Sequence, residues 1–274
     1  MKGAGRTFSM NASIPSRRRC DPVWIVLALI AGGYLAFILA LLGATAGYTT
    51  PGHWLHALAA REIRHAIALS LATCLATALL SLLLAVPVGY LLARGRFRGK
   101  ALLAAALDIP IVLPPMVVGL CLLILFQTPF GRAIERVIPF TYTVAGVVLA
   151  QFVIGAAFAV RTMRGTFEHL SPRPEEVAMT LGCSRAQAVW LVTLPAARRG
   201  MFAAASIAWA RSLGEFGPIL VFAGTTRMKT EVLPTTVWLE LSSGNLEAAV
   251  AVSLLMVALA MAVLVAVRIV GERV

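Results

Sequence analysis

An arginine and a glutamate placed four positions apart are the residues in this sequence best placed to do chemistry. Arg211 and Glu215 lie inside the apolar stretch 201–223. Positions four apart share one face of a helix, so the guanidinium and the carboxylate can pair. An isolated charge in hydrocarbon costs at least about 2.5–3.5 kcal/mol. The pair therefore indicates either an ion pair that fixes helix packing or a polar lining or gate for a hydrophilic solute, and we favour the second interpretation.

Glycines and prolines near this pair predict interruptions of the helices. Gly214 and Gly217 would let another backbone approach closely or let the helix break, and Pro218 follows them. A second interruption is predicted at Pro114 and Pro115, the last of three prolines within six residues. Lipid tolerates the freed carbonyl groups only where they face protein or a watery cavity. We expect both interruptions near a translocation path, the alternative being kinks buried against neighbouring helices.

A second motif, residues 171–195, is polar and capped where its surroundings are apolar. Prolines suit a helix start there, and Glu175 and Glu176 place negative charge at the favourable end of the helix dipole. Gly182 ends this helix, and Ser184 opens an S-x-x-Q capping box that starts another. The pattern predicts a short helix–turn–helix. It resembles a DNA-binding unit in spacing, but it is held between two apolar runs, which favours a docking surface for a soluble protein.

Composition places the chain in a membrane, since 59% of its 274 residues are hydrophobic and 13% are charged. Six apolar runs reach or approach the roughly 20 residues that cross a bilayer: 23–42, 66–93, 101–126, 143–160, 201–223 and 248–267. We predict an all-α integral membrane protein with about six transmembrane helices and the helix–turn–helix between spans four and five. The short fourth run leaves five spans possible. Residues 1–21 are predicted to form a polar tail, and residues 22–274 one transmembrane domain.

The distribution of charge orients the predicted bundle. Under a six-span topology, most of the 24 Lys and Arg residues fall on the side that holds both termini and the helix–turn–helix, which is therefore expected to be cytoplasmic. Arg17–Arg19 before the first apolar run resemble a signal peptide, but the run is too long for one and indicates an uncleaved span. The net charge of +12 indicates membrane topology and attraction to anionic lipid rather than nucleic-acid binding.

Other motifs exclude several kinds of chemistry. The four cysteines form no C-x-x-C pair and are interpreted as packing residues, and the four histidines show no ligand spacing, so no metal site is predicted. Gly95 to Lys100 resembles a phosphate-binding loop but has three residues between its glycines, where four are required, and Ala101 follows the lysine. No paired carboxylates or nucleophile–base pair indicate an enzyme.

The helix–turn–helix carries a recognisable signature. Glu176-Val177-Ala178, three residues, Gly182, nine residues, Val192, one residue and Leu194-Pro195 resemble the E-A-A-x3-G-x9-I-x-L-P signature of permease subunits of binding-protein-dependent ABC importers. Val177 and Val192 depart mildly from it. In that family the segment sits in a cleft of a separate ATPase subunit. The resemblance implies that residues 171–195 are a coupling segment whose contacts come from Glu176, Ala178, Gly182, Ser184, Leu194 and Pro195.

Further motifs narrow the resemblance. Residues 113–115, 210–217 and 221–224 are similar to molybdate/tungstate permeases, with sulfate/thiosulfate permeases next. The resemblance implies a homodimeric oxyanion permease of a bacterial or archaeal cytoplasmic (inner) membrane, working with an ATP-binding subunit and an extracytoplasmic substrate-binding protein. ATP and magnesium would bind in the partner, with no cofactor in this chain. Pro114, Pro115, Arg211, Gly214, Glu215 and Gly217 would line or gate the path. An ion-gradient-driven secondary transporter is the alternative from another class.

Overall fold

The structure is a computed structural model that describes residues 22–48, 52 and 59–273. All the regular elements in these ranges are helices. By its internal contacts the chain separates into residues 1–47 and residues 48–274, and the two units are described separately. The predicted tail, residues 1–21, lies outside the described residues, as do Cys20, His53 and His56.

The first unit contains one helix, α1 (Pro22–Gly47). Its mean hydropathy reaches 2.7 over its most apolar window of 18 residues, and nearly all of its described side chains are exposed. Large apolar side chains such as Leu29 and Phe37 extend outwards. A helix that is apolar on every side is stable when hydrocarbon is its solvent, so α1 fits the first predicted span.

The second unit is an assembly of helices of very different lengths. Its elements are α2 (Arg61–Arg94), α3 (Lys100–Val112), α4 (Pro115–Gln127), α5 (Pro129–Glu135), α6 (Val144–His169), α7 (Arg173–Thr180), α8 (Arg185–Ala188), α9 (Leu194–Ala196), α10 (Arg198–Leu213), α11 (Leu233–Ser242) and α12 (Leu246–Arg273). Two π-helical turns, Val189–Thr193 and Ile219–Ala223, interrupt the α-helical geometry.

Four described helices are long and apolar enough to cross a bilayer: α1, α2, α6 and α12. The consecutive helices α3 and α4 qualify as a fifth span if they are counted together, although they bend by 111° where Leu113 and Pro114 separate them. The all-α membrane class is confirmed, whereas six continuous spans are not found among the described residues. The predicted span 201–223 is divided because α10 ends at Leu213 and a non-helical stretch precedes the second π turn.

The core lies where α2, α6 and α10 pack together. Met163 and Phe167 of α6 and Leu213 of α10 are buried there. Gly89 of α2 permits the closest approach, because a Cβ on it would lie 2.7 Å from Met163 Cβ and 2.9 Å from the amide nitrogen of Arg164. Small residues at helix crossings are the usual way for membrane helices to gain packing contacts.

A second apolar cluster connects α4 with the second π turn. Phe126 of α4 packs against Phe222, with their ring centroids 5.2 Å apart, and against Phe140. Val147 of α6 is also buried in this cluster. The cluster therefore joins the helix after the proline bend to the π turn after the break in the fifth predicted span.

The described cysteines only partly follow their predicted packing role. Cys74 of α2 is buried, Cys183 is half-buried, and Cys121 of α4 is exposed. Among the three described cysteines, only Cys74 is thus a packing residue.

Candidate functional site: the coupling segment and the paired helix breaks

The coupling segment (residues 171–195) has the predicted helix–turn–helix form. The first helix, α7, ends at Thr180, and Gly182 adopts φ +99°, a left-handed conformation that favours glycine. Ser184 Oγ accepts a hydrogen bond from Gln187 N at 3.3 Å, and Gln187 Oε1 accepts one from Ser184 N at 2.8 Å. The predicted capping box is confirmed, so local sequence alone defines this turn.

The second helix of the segment is continuous but not uniformly α-helical. It runs through α8, the π turn Val189–Thr193 and α9. Pro195 has no amide hydrogen to donate to the preceding turn and its ring crowds a carbonyl there, which accounts for the widened turn just before it. Leu194 packs against the main core, while Pro195 is exposed. This end of the segment is thus fixed to the membrane helices.

The two adjacent glutamates of α7 have opposite environments. Glu175 is buried, and its carboxylate accepts hydrogen bonds from the Tyr90 hydroxyl of α2 and from Thr193 Oγ1, the latter at 2.9 Å. Glu176 is exposed. Glu175 therefore ties both helices of the segment to α2. Sequence reasoning did not distinguish this anchor from its neighbour, because both of its partners are distant along the chain.

The outer surface of the coupling segment is apolar. Leu181 is 80% exposed and Leu191 is 69% exposed, and Val177 is exposed as well. The predicted contact residues Glu176, Gly182 and Ser184 are exposed, and Ala178 is half-buried. Apolar side chains that lie together with polar ones on a rigid protrusion are typical of a protein-binding surface.

The two predicted interruptions of the membrane helices are in contact. A Cβ on Gly217 would lie 2.9 Å from the amide nitrogen of Met116, the residue after Pro115, and a Cβ on Gly119 would lie 2.7 Å from Pro218 Cα. The backbone at the start of α4 therefore packs directly on the backbone that follows Gly214. We call residues 113–119 and 211–218 the paired helix breaks.

Arg211 and Glu215 form an ion pair at these breaks. Arg211 Nη1 lies 3.4 Å from Glu215 Oε2, and the Arg211 guanidinium carbon lies 5.6 Å from the centroid of the Phe158 ring. The side chain of Glu215 is 2% exposed, whereas that of Arg211 is 34% exposed. Because α10 ends at Leu213, the two residues do not share a regular helix as the spacing predicted. Because the Glu215 carboxylate is buried and the Arg211 guanidinium is partly exposed, the accessible group of this pair is positively charged.

A glutamine that sequence reasoning missed supports the end of α10. Gln151 of α6 is buried, and its Nε2 donates to the carbonyl oxygen of Ser212 at 3.2 Å. Its Oε1 accepts from Thr77 Oγ1 of α2, also at 3.2 Å. Ser212 lies in the last turn of a helix, where carbonyl groups lack helical donors. Gln151 therefore joins α2, α6 and the broken helix at one point.

Glu231 is a further buried carboxyl that the sequence did not indicate. It lies outside the helices long enough to span a bilayer, and neither of its side-chain oxygens has a hydrogen-bond partner among the described residues. Burial raises the pKa of Glu231 above its ordinary value, the Thr236 hydroxyl and Arg227 oppose this shift, and nearby Glu240 and Glu62 raise the pKa further. Its environment therefore favours the neutral form.

Comparisons with known proteins assign the chain to a family. Residues 85–274 match the family described as binding-protein-dependent transport system inner membrane component. A probable molybdenum ABC transporter permease protein of Haloferax volcanii is 35% identical over 248 residues, which cover 89% of this chain and 88% of the relative. A sulfate transport system permease protein of Escherichia coli is 34% identical and covers 68% of each chain.

A solved structure shows the same fold. A chain of a bacterial alginate ABC transporter, in complex with an alginate-bound periplasmic protein, superposes with a TM-score of 0.73, covering 93% of this chain and 96% of that one at 16% identity. The arrangement of broken and continuous helices is thus shared with that chain of the alginate ABC transporter. The chain belongs to the family of inner membrane components of binding-protein-dependent transport systems, and it is a multi-pass membrane protein.

Proposed function

We propose that this chain is the permease subunit of an ATP-driven importer for an oxyanion, with molybdate or tungstate as the substrate. The observation that carries this assignment is the 35% identity with a molybdenum permease over 88% of that relative. Molybdate and tungstate share charge and tetrahedral shape, so one path serves both. Sulfate or thiosulfate is the second candidate, supported by the 34% identity with a sulfate permease over a smaller part of the chain.

The chain would work with partners that carry out the other steps. An extracytoplasmic binding protein would deliver the anion to the outer face, and two ATP-binding subunits would hold ATP and magnesium below a homodimer of this chain. In this proposal both termini and the coupling segment lie in the cytoplasm. Closure of the ATPases around ATP would bring two coupling segments together and open the bundle outwards, and hydrolysis would reset it.

The structure supports this transmission of force through specific contacts. Glu175 connects the coupling segment to Tyr90 near the end of α2, and Leu194 connects it to the core. The core contains α10, whose last turn carries Ser212 next to the paired helix breaks. Displacement of the coupling segment would thus reach the breaks through packed helices rather than through mobile loops.

The paired helix breaks would form the gate of the path. The partly exposed Arg211 guanidinium offers an anion one cationic contact, and the adjacent Glu215 carboxylate prevents tight binding by offsetting that charge. A path that attracts an anion without retaining it suits transport. Selection among oxyanions would then rest chiefly with the binding protein.

Reconstituted uptake tests the assignment. Proteoliposomes containing this chain and the ATPase, with the binding protein outside, should take up labelled molybdate only when ATP is inside the vesicles, and they should prefer it to sulfate. A preference for sulfate would select the second candidate. Uptake by the isolated chain driven by an ion gradient without ATP would instead show a secondary transporter.

The role of the coupling segment has a separate test with a matched control. Gly182→Val places a β-branched residue at φ +99°, which should distort the turn while leaving membrane insertion intact, so co-purification with the ATPase should fall. Gly244→Val introduces the same strain at φ +80°, outside the segment, and also meets no nearby atoms. Equal ATPase binding by both variants would contradict the docking role.

A further inference from the structure

An open groove beside the coupling segment has the composition of a lipid site. Its volume is about 1340 Å³, and it lies between the end of α2, the loop that follows α2 and the coupling segment. Its lining includes the apolar residues Leu83, Val86, Pro87 and Leu91 and the basic residues Arg94, Arg96, Lys100 and Arg185. Along the chain from Leu83 to Lys100, the apolar residues come before the basic ones, which gives the groove an apolar end and a basic end. Tyr90 and Trp190 also line it. We call it the α2 groove.

The dimensions of the α2 groove match one leaflet of a bilayer. Leu83 and Arg94 are eleven residues apart on one helix, or about 16 Å at the helical rise per residue. Half of a hydrocarbon core is about 15 Å. Apolar residues continue to Ala93, so Arg94 marks the level at which α2 leaves the hydrocarbon. The apolar end of the groove thus lies at the depth of acyl chains and the basic end at the depth of headgroups.

The charge of the groove selects an anionic headgroup. Four cationic side chains line it against two carboxylates. One of these, Glu175, is already bonded to Tyr90 and Thr193, which leaves Glu176 as the exposed carboxylate. Arg94 Nη2 donates to the carbonyl oxygen of Leu170 at 2.7 Å, so the guanidinium is held in place. Its Nε–H is buried without an acceptor among the described residues.

We propose that the α2 groove binds an anionic phospholipid of the inner leaflet, with the phosphate held by Arg94, Arg96 and Lys100 and an acyl chain along Leu83, Val86 and Leu91. The lipid would fill the space beside Glu175 and Tyr90, which anchor the coupling segment. Interfacial Tyr90 and Trp190 suit this depth, since aromatic side chains with a polar atom concentrate where membrane meets water. This lipid contact goes beyond the proposed transport function and does not depend on which anion is carried.

Quenching of Trp190 fluorescence by brominated lipid tests the proposal. The full chain is reconstituted in vesicles containing either phosphatidylglycerol or phosphatidylcholine brominated near the headgroup, and the Trp190 signal is the difference between the wild-type protein and Trp190→Phe. At equal bromine content, phosphatidylglycerol should quench this signal more strongly than phosphatidylcholine. Equal quenching by the two lipids would overturn the proposal.

Charge-matched variants distinguish a specific lipid-binding site from general attraction between basic residues and the anionic membrane surface. Arg96→Gln with Lys100→Gln should abolish the preference, because these variants remove two of the three cations proposed to hold the phosphate. Arg98→Gln with Arg199→Gln removes the same charge from exposed positions outside the groove and should retain most of it. Equal loss in both pairs would show surface attraction only and would reject the site.

Two further experiments identify the molecule that fills the α2 groove. Inorganic phosphate at millimolar concentration should leave the quenching unchanged, whereas displacement by phosphate would show a free-anion site and overturn the lipid assignment. Assembly with the ATPase subunit should also preserve the preference for phosphatidylglycerol. Loss of quenching on assembly would show that protein rather than lipid covers the α2 groove. None of these outcomes depends on transport, so the lipid site can fail while the proposed function holds.

Discussion

At the scale of single residues, side chains that are close in sequence differ in role because their burial differs. Glu175 and Glu176 are adjacent in sequence, but one accepts two hydrogen bonds from distant elements and the other faces outwards. Arg211 and Glu215 likewise differ in exposure although they form one ion pair. Burial, more than residue type, thus separates residues that hold the structure from residues free to contact a partner or a solute.

The adjacent glutamates give a matched test of this distinction. Glu175→Ala should lower the free energy of unfolding by about 1–3 kcal/mol, because it leaves the buried Tyr90 and Thr193 hydroxyls without their acceptor. Glu176→Ala should leave stability nearly unchanged, since exposed side chains far from such networks contribute little. Denaturation of each purified variant in detergent measures the difference. Comparable stability of the two variants would contradict the anchoring role of Glu175.

The ion pair is tested by removing one partner and then both. Arg211→Ala leaves the Glu215 carboxylate buried without its counterion and should impair folding or transport more than Arg132→Ala on α5 does. The double variant with Glu215→Ala removes the unpaired charge and should recover the folded yield. Transport by that double variant then separates a gate from a packing contact, because a purely structural pair would be fully rescued. Negligible effects of both single variants would remove the case for the pair.

At the scale of elements, close backbone contacts join helices that are distant in sequence. Gly89 allows α2 to meet α6, and Gly119 and Gly217 allow the paired helix breaks to meet. Each interruption leaves backbone groups without helical hydrogen-bond partners. The two interruptions can cover one another's exposed backbone only if they lie at the same place. The proline bend after α3 and the break after α10 therefore form one structural feature.

The crossing of α2 and α6 predicts contrasting effects for two glycines. Gly89→Ala places a Cβ 2.9 Å from the amide nitrogen of Arg164, a backbone atom that cannot turn away, so the variant should be destabilised by about 1–3 kcal/mol. Gly165→Ala, on α6 with open space around it, should be stabilised by about 0.5–1 kcal/mol because alanine favours a helix. Thermal unfolding of both variants in detergent provides the comparison. Stabilisation by both substitutions would show that the crossing is loose.

At the scale of the whole molecule, the coupling segment and the paired helix breaks are connected through one packed core. Leu194 of the segment and Leu213 at the end of α10 both pack against that core. Closely packed interiors transmit strain because they deform little. Under the proposed function, movement of the segment by the partner ATPase would therefore be passed on to the breaks.

The orientation of the segment is testable through a native thiol. Cys183 lies in the turn of the coupling segment and is half-buried. In a variant with Cys20, Cys74 and Cys121 replaced by serine, a membrane-impermeant maleimide should label Cys183 in inside-out vesicles and leave it unlabelled in intact cells. The expected result follows from the excess of basic residues on the same predicted side. Labelling in intact cells would place the segment outside and refute the proposed coupling.

Local chemistry in the sequence was sufficient to predict the membrane class, the capped turn at Ser184, the glycine at positive φ and the proline interruption near Pro114. Each depends on hydrophobic run length or on contacts within four residues. The tertiary structure alone revealed that Glu175 rather than Glu176 is anchored and that Gln151 supports the end of α10. These features depend on partners 18 to 85 residues away. Residue spacing in the sequence does not predict contacts between such distant residues.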